Sequence, residues 1–297
     1  MSGNKLMLLA NPHAGKGGAQ KALGEVLQVF CRAGWEPTVF LTQGRGDAPR
    51  LTHEHAAEYD RIVCIGGDGT LSETVSGLVT LPDAPPLGYI PMGTANDVAT
   101  TLELPRDPVQ AAEAIVRGTP QPFDVGCMNG DSFFTYVAAF GAFTDVSYET
   151  RQESKQALGL LAYLFEGLAS LPSIAPTHAR VTLDGGAEEG DYIFCGVTNT
   201  TSVGGSMMRL DKGIVSLSDG LFEVILVRNP ESIAYLGGIV LDILGKKYQD
   251  PHVKVLHSRR VHIQCDTPVK FTRDGEAGGL HSEAVLENLH QAIRILL

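Results

Sequence analysis

The first half of the chain repeats one unit: a short apolar run, a glycine cluster, then a segment with helical spacing. Leu6 to Ala10 runs into Asn11-Pro12-His13-Ala14-Gly15-Lys16-Gly17-Gly18, and Ile62 to Ile65 into Gly66-Gly67-Asp68-Gly69-Thr70. Runs this short and this apolar suit strands buried on both faces, as in a parallel sheet. Ala19, Ala22, Leu23, Val26, Leu27 and Phe30 then recur at helical spacing. Thr38 to Thr42, Gly88 to Ile90 and Phe123 to Val125 read as further strands, and Pro49 to Glu58, Leu71 to Val79 and Pro108 to Arg117 as helices. Strict alternation implies an α/β unit, a Rossmann-like parallel sheet covered by helices, with ligands outside the carboxyl ends of its strands.

After Gly126 the texture becomes strand-rich. Phe133 to Ala139, Ala179 to Leu183, Tyr192 to Val197, Phe222 to Val227, Arg260 to Cys265, Val269 to Thr272, Ala284 to Glu287 and Ala292 to Leu297 are the expected strands. Asp184-Gly185-Gly186 reads as a hairpin turn. Ser154 to Leu171 is the helical interruption, with Leu158, Leu161, Ala162, Phe165 and Leu168 on one side. The expected organisation is an α/β nucleotide-binding domain over residues 1–124, then an antiparallel β-sandwich domain over 125–297, with the active site between them.

With 297 residues, 43% of them hydrophobic, the chain can fill two ordinary domains. Its formal charge of −11 argues against a general nucleic-acid partner. A local basic stretch, Gly245 to His262 with Lys246, Lys247, Lys254, Arg259 and Arg260, reads either as solvated surface or as a contact for anionic lipid head groups. Five scattered cysteines without a C-x-x-C pair fit a reducing cytosol. Leu6 to Ala10 is too short for a signal-peptide core, and Ile233 to Leu244 is broken by Gly237, Gly238 and Asp242. It falls short of the roughly 18 residues of a spanning helix. The expectation is a cytoplasmic protein whose membrane contact is peripheral and transient.

Glycines remove β-carbons, so backbone N–H groups can close around a bulky anion. Thr70-Leu71-Ser72-Glu73 has the form of a capping box and predicts a helix start, whose N-terminus favours a phosphate. Asp68 would repel that phosphate unless a cation lay between them, which implies Mg²⁺. The alternative is an ordinary strand-to-helix turn. Two further loops, Pro91-Met92-Gly93-Thr94-Ala95-Asn96-Asp97 and Phe123-Asp124-Val125-Gly126, also end strands of this half. Lys16 is followed by Gly17 where a P-loop needs Ser or Thr, so the first loop is not a P-loop. Several phosphate-type loops converging on one rim favour a nucleoside triphosphate.

NPHAGKGG, GGDGTLSE, PMGTANDVATTLELP and FDVG, in this order, resemble the catalytic domain of the diacylglycerol-kinase and sphingosine-kinase superfamily, most closely its bacterial soluble lipid-kinase branch. Lys155, Gly159 and Tyr163, then Asp219-Gly220-Leu221-Phe222 and Asp274-Gly275-Glu276, extend the resemblance over nearly the whole chain. It implies an ATP- and Mg²⁺-dependent kinase acting on a lipid hydroxyl, diacylglycerol first, presented at a membrane surface, and leaves room for a homodimer. It also implies that Asn11, Gly66, Gly67, Asp68, Gly69, Thr70 and Thr94 hold ATP. Asp68, Asp97 and Asp124 form a carboxylate network around catalytic Mg²⁺, and Glu276 is the general base. Ser216, Asp219 and Leu221 hold a second, structural Mg²⁺. The segment SMMRLDKGIVSLSDG departs from the family in placing Ser218 where relatives carry a first Asp; Asp211 could compensate. Met207 and Met208 read as core fillers or as part of an apolar lipid groove. The rival readings are a kinase of a small soluble acceptor resembling the NAD kinases, and a non-catalytic lipid or nucleotide sensor on the same fold.

Overall fold

The computed structural model describes residues 4–142, 175–203, 208–210, 213–230, 235 and 250–297. The expected helix from Ser154 to Leu171, with Lys155, Gly159 and Tyr163, lies outside the described residues. So do Gly205, Met207, Asp211, Lys246, Lys247 and, apart from Tyr235, the segment from Ile233 to Leu244.

The first half is built from β1 (Asn4–Ala10), α1 (Ala14–Arg32), β2 (Trp35–Leu41), α2 (Asp47–His55), β3 (Arg61–Gly66), α3 (Asp68–Leu78), β4 (Leu87–Pro91), α4 (Asp97–Thr101) and α5 (Pro108–Arg117). The four strands lie in the order β2-β1-β3-β4 and every pairing among them is parallel. Along β1 the side chains alternate between two apolar layers. Met7 and Leu9 pack with Leu71, Val75 and Leu78 of α3. Leu6 and Leu8 pack with Val26 and Phe30 of α1 and with Ile115 of α5. A strand buried on both faces needs the continuous apolar run that the sequence carries there.

This parallel block is not an isolated sheet. The second half contains β5 (Pro120–Met128), β6 (Ser132–Phe134), β7 (Val137–Gly141), β8 (Thr177–Leu183), β9 (Gly186–Thr198), the short pair β10 (Ser202–Val203) and β11 (Met208–Arg209), β12 (Phe222–Arg228), β13 (Val253–Ser258), β14 (Arg260–Arg273) and β15 (Glu276–Leu296). The end of β15 pairs in parallel with β4 at Ile295 and Leu87, so the block runs on into antiparallel strands and 13 strands share one hydrogen-bonded sheet. β15 is also antiparallel to β5, and the Thr119 N–H donates to the Leu297 carbonyl at 2.8 Å.

The β-rich half doubles over because two long strands belong to both of its layers. Residues 186–192 of β9 pair with β8, and residues 194–198 pair with β7. β14 pairs with β8 at His262 to Cys265 and with β7 at Phe271 to Arg273, with a register shift between Gln264 and Val269. A bulged strand that switches layers is how a sandwich turns its corners. Phe134, Phe140, Tyr192, Phe222 and Phe271 fill the interior. The expected pair of strands over 260–272 is therefore one strand interrupted by this bulge, and the pair over 284–297 is likewise one strand. The expected strand from Phe133 to Ala139 is instead divided into β6 and β7 around Thr135 and Tyr136.

The basic stretch, read as solvated surface or as a contact for anionic head groups, includes the strand Val253–Ser258. Lys254 pairs with Glu188 at 2.8 Å and Arg260 with Glu287 at 3.2 Å. Among the described residues no helix is long and apolar enough to cross a membrane.

Candidate active site

Three loops meet at the carboxyl ends of β1, β3 and β4, and glycines let their backbones touch. A β-carbon added to Gly93 would lie 2.6 Å from the Cα of Gly67, and one added to Gly15 would lie 2.8 Å from the Met92 carbonyl oxygen. No larger residue fits at these two contacts. At the start of α1, Gly15, Lys16 and Gly17 are successively left-handed, so the regular helix begins after them. The Asn11 side chain donates from Nδ2 to Thr70 Oγ1 at 3.3 Å, and its Oδ1 accepts the His13 N–H at 3.0 Å. The third loop ties itself: Asn96, at φ 52°, accepts the Gly93 N–H at 2.9 Å and returns Nδ2 to the Gly93 carbonyl at 2.8 Å. Thr94 sits exposed at its tip.

The expected capping box does not form. Helix α3 begins at Asp68, after Gly67, and no side chain caps it. Thr70 is already inside the helix, and Glu73 Oε1 instead accepts the Gly46 N–H at 3.0 Å, holding the β2–α2 loop against α3. A tertiary donor has taken the acceptor that a local cap would use.

Asp68 is buried; its Oδ1 accepts the Val98 N–H at 3.4 Å, and the Asp97 backbone N–H also favours its charged form. Burial, and then the neighbouring Asp97, push its carboxyl up to about 7. Asp97 is fully buried and accepts Ser202 Oγ at 2.7 Å, a bond from the second half into the first. Thr101 of α4 adds another such contact, to Thr200 Oγ1 at 2.5 Å. The phenols of Tyr89 and Tyr136 are raised well above their ordinary value, first by burial; Asp68 and Asp97 contribute to both shifts. Two neighbouring buried acids fit a bound divalent cation, which would relieve both burial and repulsion.

Asp124, the third acid of the expected network, is held by backbone donors. Its Oδ2 accepts the Gly220 N–H at 2.7 Å and its Oδ1 the Gln291 N–H at 2.6 Å, so it stitches β5 to the 218–221 turn and to β15. Among the described residues no three His, Cys, Asp or Glu side chains gather as a metal-binding group. Asp68 and Asp97 adjoin directly, while both Asp124 oxygens accept backbone amides. In the 218–221 turn, Asp219 Oδ1 accepts the Leu221 N–H at 3.0 Å, and the Leu221 carbonyl accepts Asn288 Nδ2 at 3.1 Å. The Ser218 carbonyl faces His290 Nε2 at 2.9 Å. Ser216 is half-buried in the same loop.

Glu276 begins β15 immediately after the Asp274-Gly275 turn, where both residues have positive φ, 47° and 76°. It is thus a hairpin residue, and the turn aims it: a β-carbon added to Gly69 would lie 3.9 Å from Glu276 Oε1. The structure brings the D-G-E turn of the second half to the glycine loop of the first. Asp274 anchors that turn by accepting the N–H groups of Thr135, Tyr136 and Val137 and the Thr135 hydroxyl, at 2.7 to 3.1 Å.

The arrangement has known counterparts. The family model described as "Diacylglycerol kinase catalytic domain" matches residues 5–128, and the "YegS C-terminal NAD kinase beta sandwich-like domain" matches residues 139–297. Diacylglycerol kinase of Bacillus subtilis (strain 168) is 34% identical over 293 residues, 98% of this chain and 95% of that protein. The chain belongs to the diacylglycerol kinase family. The Staphylococcus aureus (strain MRSA252) diacylglycerol kinase is 34% identical over 281 residues, 92% of this chain and 86% of that protein. The crystal structure of a diacylglycerol kinase from Bacillus anthracis str. Sterne superposes with a TM-score of 0.78 at 25% identity, covering 100% of this chain and 97% of that one.

Two contacts around Glu276 escaped the sequence reading. Asp274 reads only as part of the D-G-E resemblance, and nothing local marks the donors it collects from residues 135–137. Arg45, with Nη1 3.7 Å from Glu276 Oε2, also went unread. Its signal was available: an arginine between two glycines, just past the carboxyl end of a parallel strand, where such sheets gather ligands.

Proposed function

We propose that this protein is a lipid kinase that transfers the γ-phosphoryl group of ATP to the free hydroxyl of a diacylglycerol. The reading is carried by the meeting of Glu276 with the glycine loop at Gly69, in a chain whose 34%-identical relatives are named diacylglycerol kinases. Phosphoryl transfer asks for alignment and charge neutralisation more than covalent help. In this reading residues 1–124 form a Rossmann-like nucleotide unit and residues 125–297 the lipid unit. Asn11, Thr70 and Thr94, with the backbone of Gly66, Gly67 and Gly69, align the triphosphate. Asp68 and Asp97 would hold Mg²⁺, which supplies the positive charge that the β- and γ-phosphate oxygens need. Glu276 accepts the acceptor hydroxyl's proton as the new O–P bond forms; its exposed position lets it meet a substrate entering from outside.

A carbonyl has two acceptor sites, so its bond to Asn288 leaves Leu221 able to ligate. With the Ser216 carbonyl and Asp219 it would give a second Mg²⁺ an oxygen set that stiffens the β-rich half. The lipid reaches the site from a membrane face that the protein touches peripherally.

The test incubates purified protein with labelled ATP, Mg²⁺ and either diacylglycerol in mixed micelles or NAD. Labelled phosphatidic acid is the expected product. Labelled NADP with untouched lipid would overturn the acceptor, and no transfer to any lipid in a broad screen would overturn the activity.

A further inference from the structure

Arg45 lies on the loop between β2 and α2, and the loop is firmly held. The N–H groups of Gln43 and Gly44 donate to Asp47 Oδ2 at 2.7 and 3.1 Å, and Gly46 is fastened to Glu73 of α3 at 3.0 Å. This stations the root of the Arg45 side chain beside the first turns of α3. Its guanidinium then spans the gap between the two halves to Glu276 at 3.7 Å. The two side chains are 71% and 59% exposed, and a pair so open to water adds little to stability. A strapped loop with a solvent-facing arginine at the proposed base calls for another explanation.

We propose that Arg45 recognises the transferred phosphoryl group, exchanging its contact with Glu276 for the γ-phosphate when a nucleoside triphosphate binds. The inference rests on Glu276 being the base and on the glycine loop being the nucleotide site. A base lies about 3 Å from the hydroxyl it deprotonates, and that oxygen lies about 3–3.5 Å from the atom it attacks. The γ-phosphate oxygens therefore fall within one side-chain swing of a group already touching Glu276. Guanidinium is permanently charged, and its planar fork matches phosphate oxygens in a way an ammonium does not. Arg45 takes part in no proton transfer. The hydroxyl proton goes to Glu276, the O–P bond to the acceptor forms, the bond between the γ-phosphorus and the β–γ bridging oxygen breaks, and ADP leaves with that electron pair. Arg45 balances negative charge on the group in flight, and its release of Glu276 frees that carboxylate to act.

The test compares wild type, Arg45→Gln and Arg45→Lys by calorimetric titration with ATP and ADP in Mg²⁺ buffer, after equal melting temperatures show that the variants fold. Wild type is expected to bind ATP more tightly than ADP. Arg45→Gln should lose about tenfold in ATP affinity, the loss of one charged contact, with ADP affinity unchanged, and Arg45→Lys should recover part of it. In turnover, Arg45→Gln should lower kcat about 100-fold with the lipid KM unmoved. Unchanged ATP and ADP affinities with kcat within twofold would sink the role of Arg45 while leaving the site reading intact. A wild-type protein that binds neither nucleotide would sink the site reading and this inference together.

Discussion

Asp68 and Asp274 are both buried carboxylates at the ends of strands, only 8% and 6% exposed, and they face each other closely enough for Asp274 to raise the Asp68 carboxyl. Their surroundings are opposite. Asp274 collects three backbone N–H groups and a hydroxyl within 3.1 Å, so its charge is solvated by the fold. Asp68 has only backbone help, from Val98 at a long 3.4 Å and from Asp97, and the Asp97 carboxylate beside it raises its carboxyl. The fold solvates one charge far more fully than the other. That difference marks Asp274 as an acid the fold itself satisfies and Asp68 as one it holds at a cost, the setting in which functional acids are found.

The sharpest way to break this comparison is to neutralise each acid in turn. Asp68→Asn should cost at least about 1,000-fold in kcat, some 4 kcal/mol of transition-state stabilisation, without lowering the melting temperature in metal-free buffer. A variant that works at near-normal rate, or one that unfolds, would place Asp68 with Asp274 in the scaffold. Asp274→Ala should behave the other way and destabilise the fold by about 3 kcal/mol, because three buried N–H groups lose their acceptor. Urea denaturation measures this; a loss under 1 kcal/mol would show that the turn holds Glu276 without its anchor.

A third buried acid sharpens the contrast. Glu223 on β12 is fully buried, neither of its carboxylate oxygens has a hydrogen-bond partner on another described residue, and His257 Nε2 lies 4.0 Å away. Burial, then Asp219 and Asp124, push its carboxyl up to about 8 from 4.5. A raised folded-state value means that the native protein keeps a proton that the unfolded chain gives up across that window. Wild-type stability should therefore fall as pH rises from about 4.5 to 8. Glu223→Met, close in shape and uncharged, should be more stable than wild type by about 2 kcal/mol at pH 8 and by little at pH 4. A gap between the two proteins that stays constant with pH would show that Glu223 ionises freely.

The parallel rhythm was legible because it is local. Helix α5 occupies Pro108–Arg117, as its spacing predicts, with Asp107 accepting the Gln110 N–H at 2.9 Å to cap it. Glycine-rich loops are legible for the same reason, since Gly66 to Gly69 can be judged from the residues themselves. Glu73 shows the limit. Its pattern is a capping box, but a loop 27 residues earlier in the chain supplies a better donor, and no local rule anticipates that. Asp124 shows the same limit: its neighbours in sequence say acid at a strand end, and its partners lie at Gly220 and Gln291.

From the amino-acid order alone follow the alternating first half, the strand-rich second half, the three glycine loops and the acids set among them. Each depends on residues within one turn or one strand, where side-chain spacing and backbone freedom decide the outcome. Which acid the fold satisfies depends on donors up to 167 residues away, such as the Gln291 N–H on Asp124. Only packing brings those groups within 3 Å, and a hydrogen bond exists only at that range. The same holds for Arg45 and Glu276, separated along most of the chain and joined by the closing of its two halves.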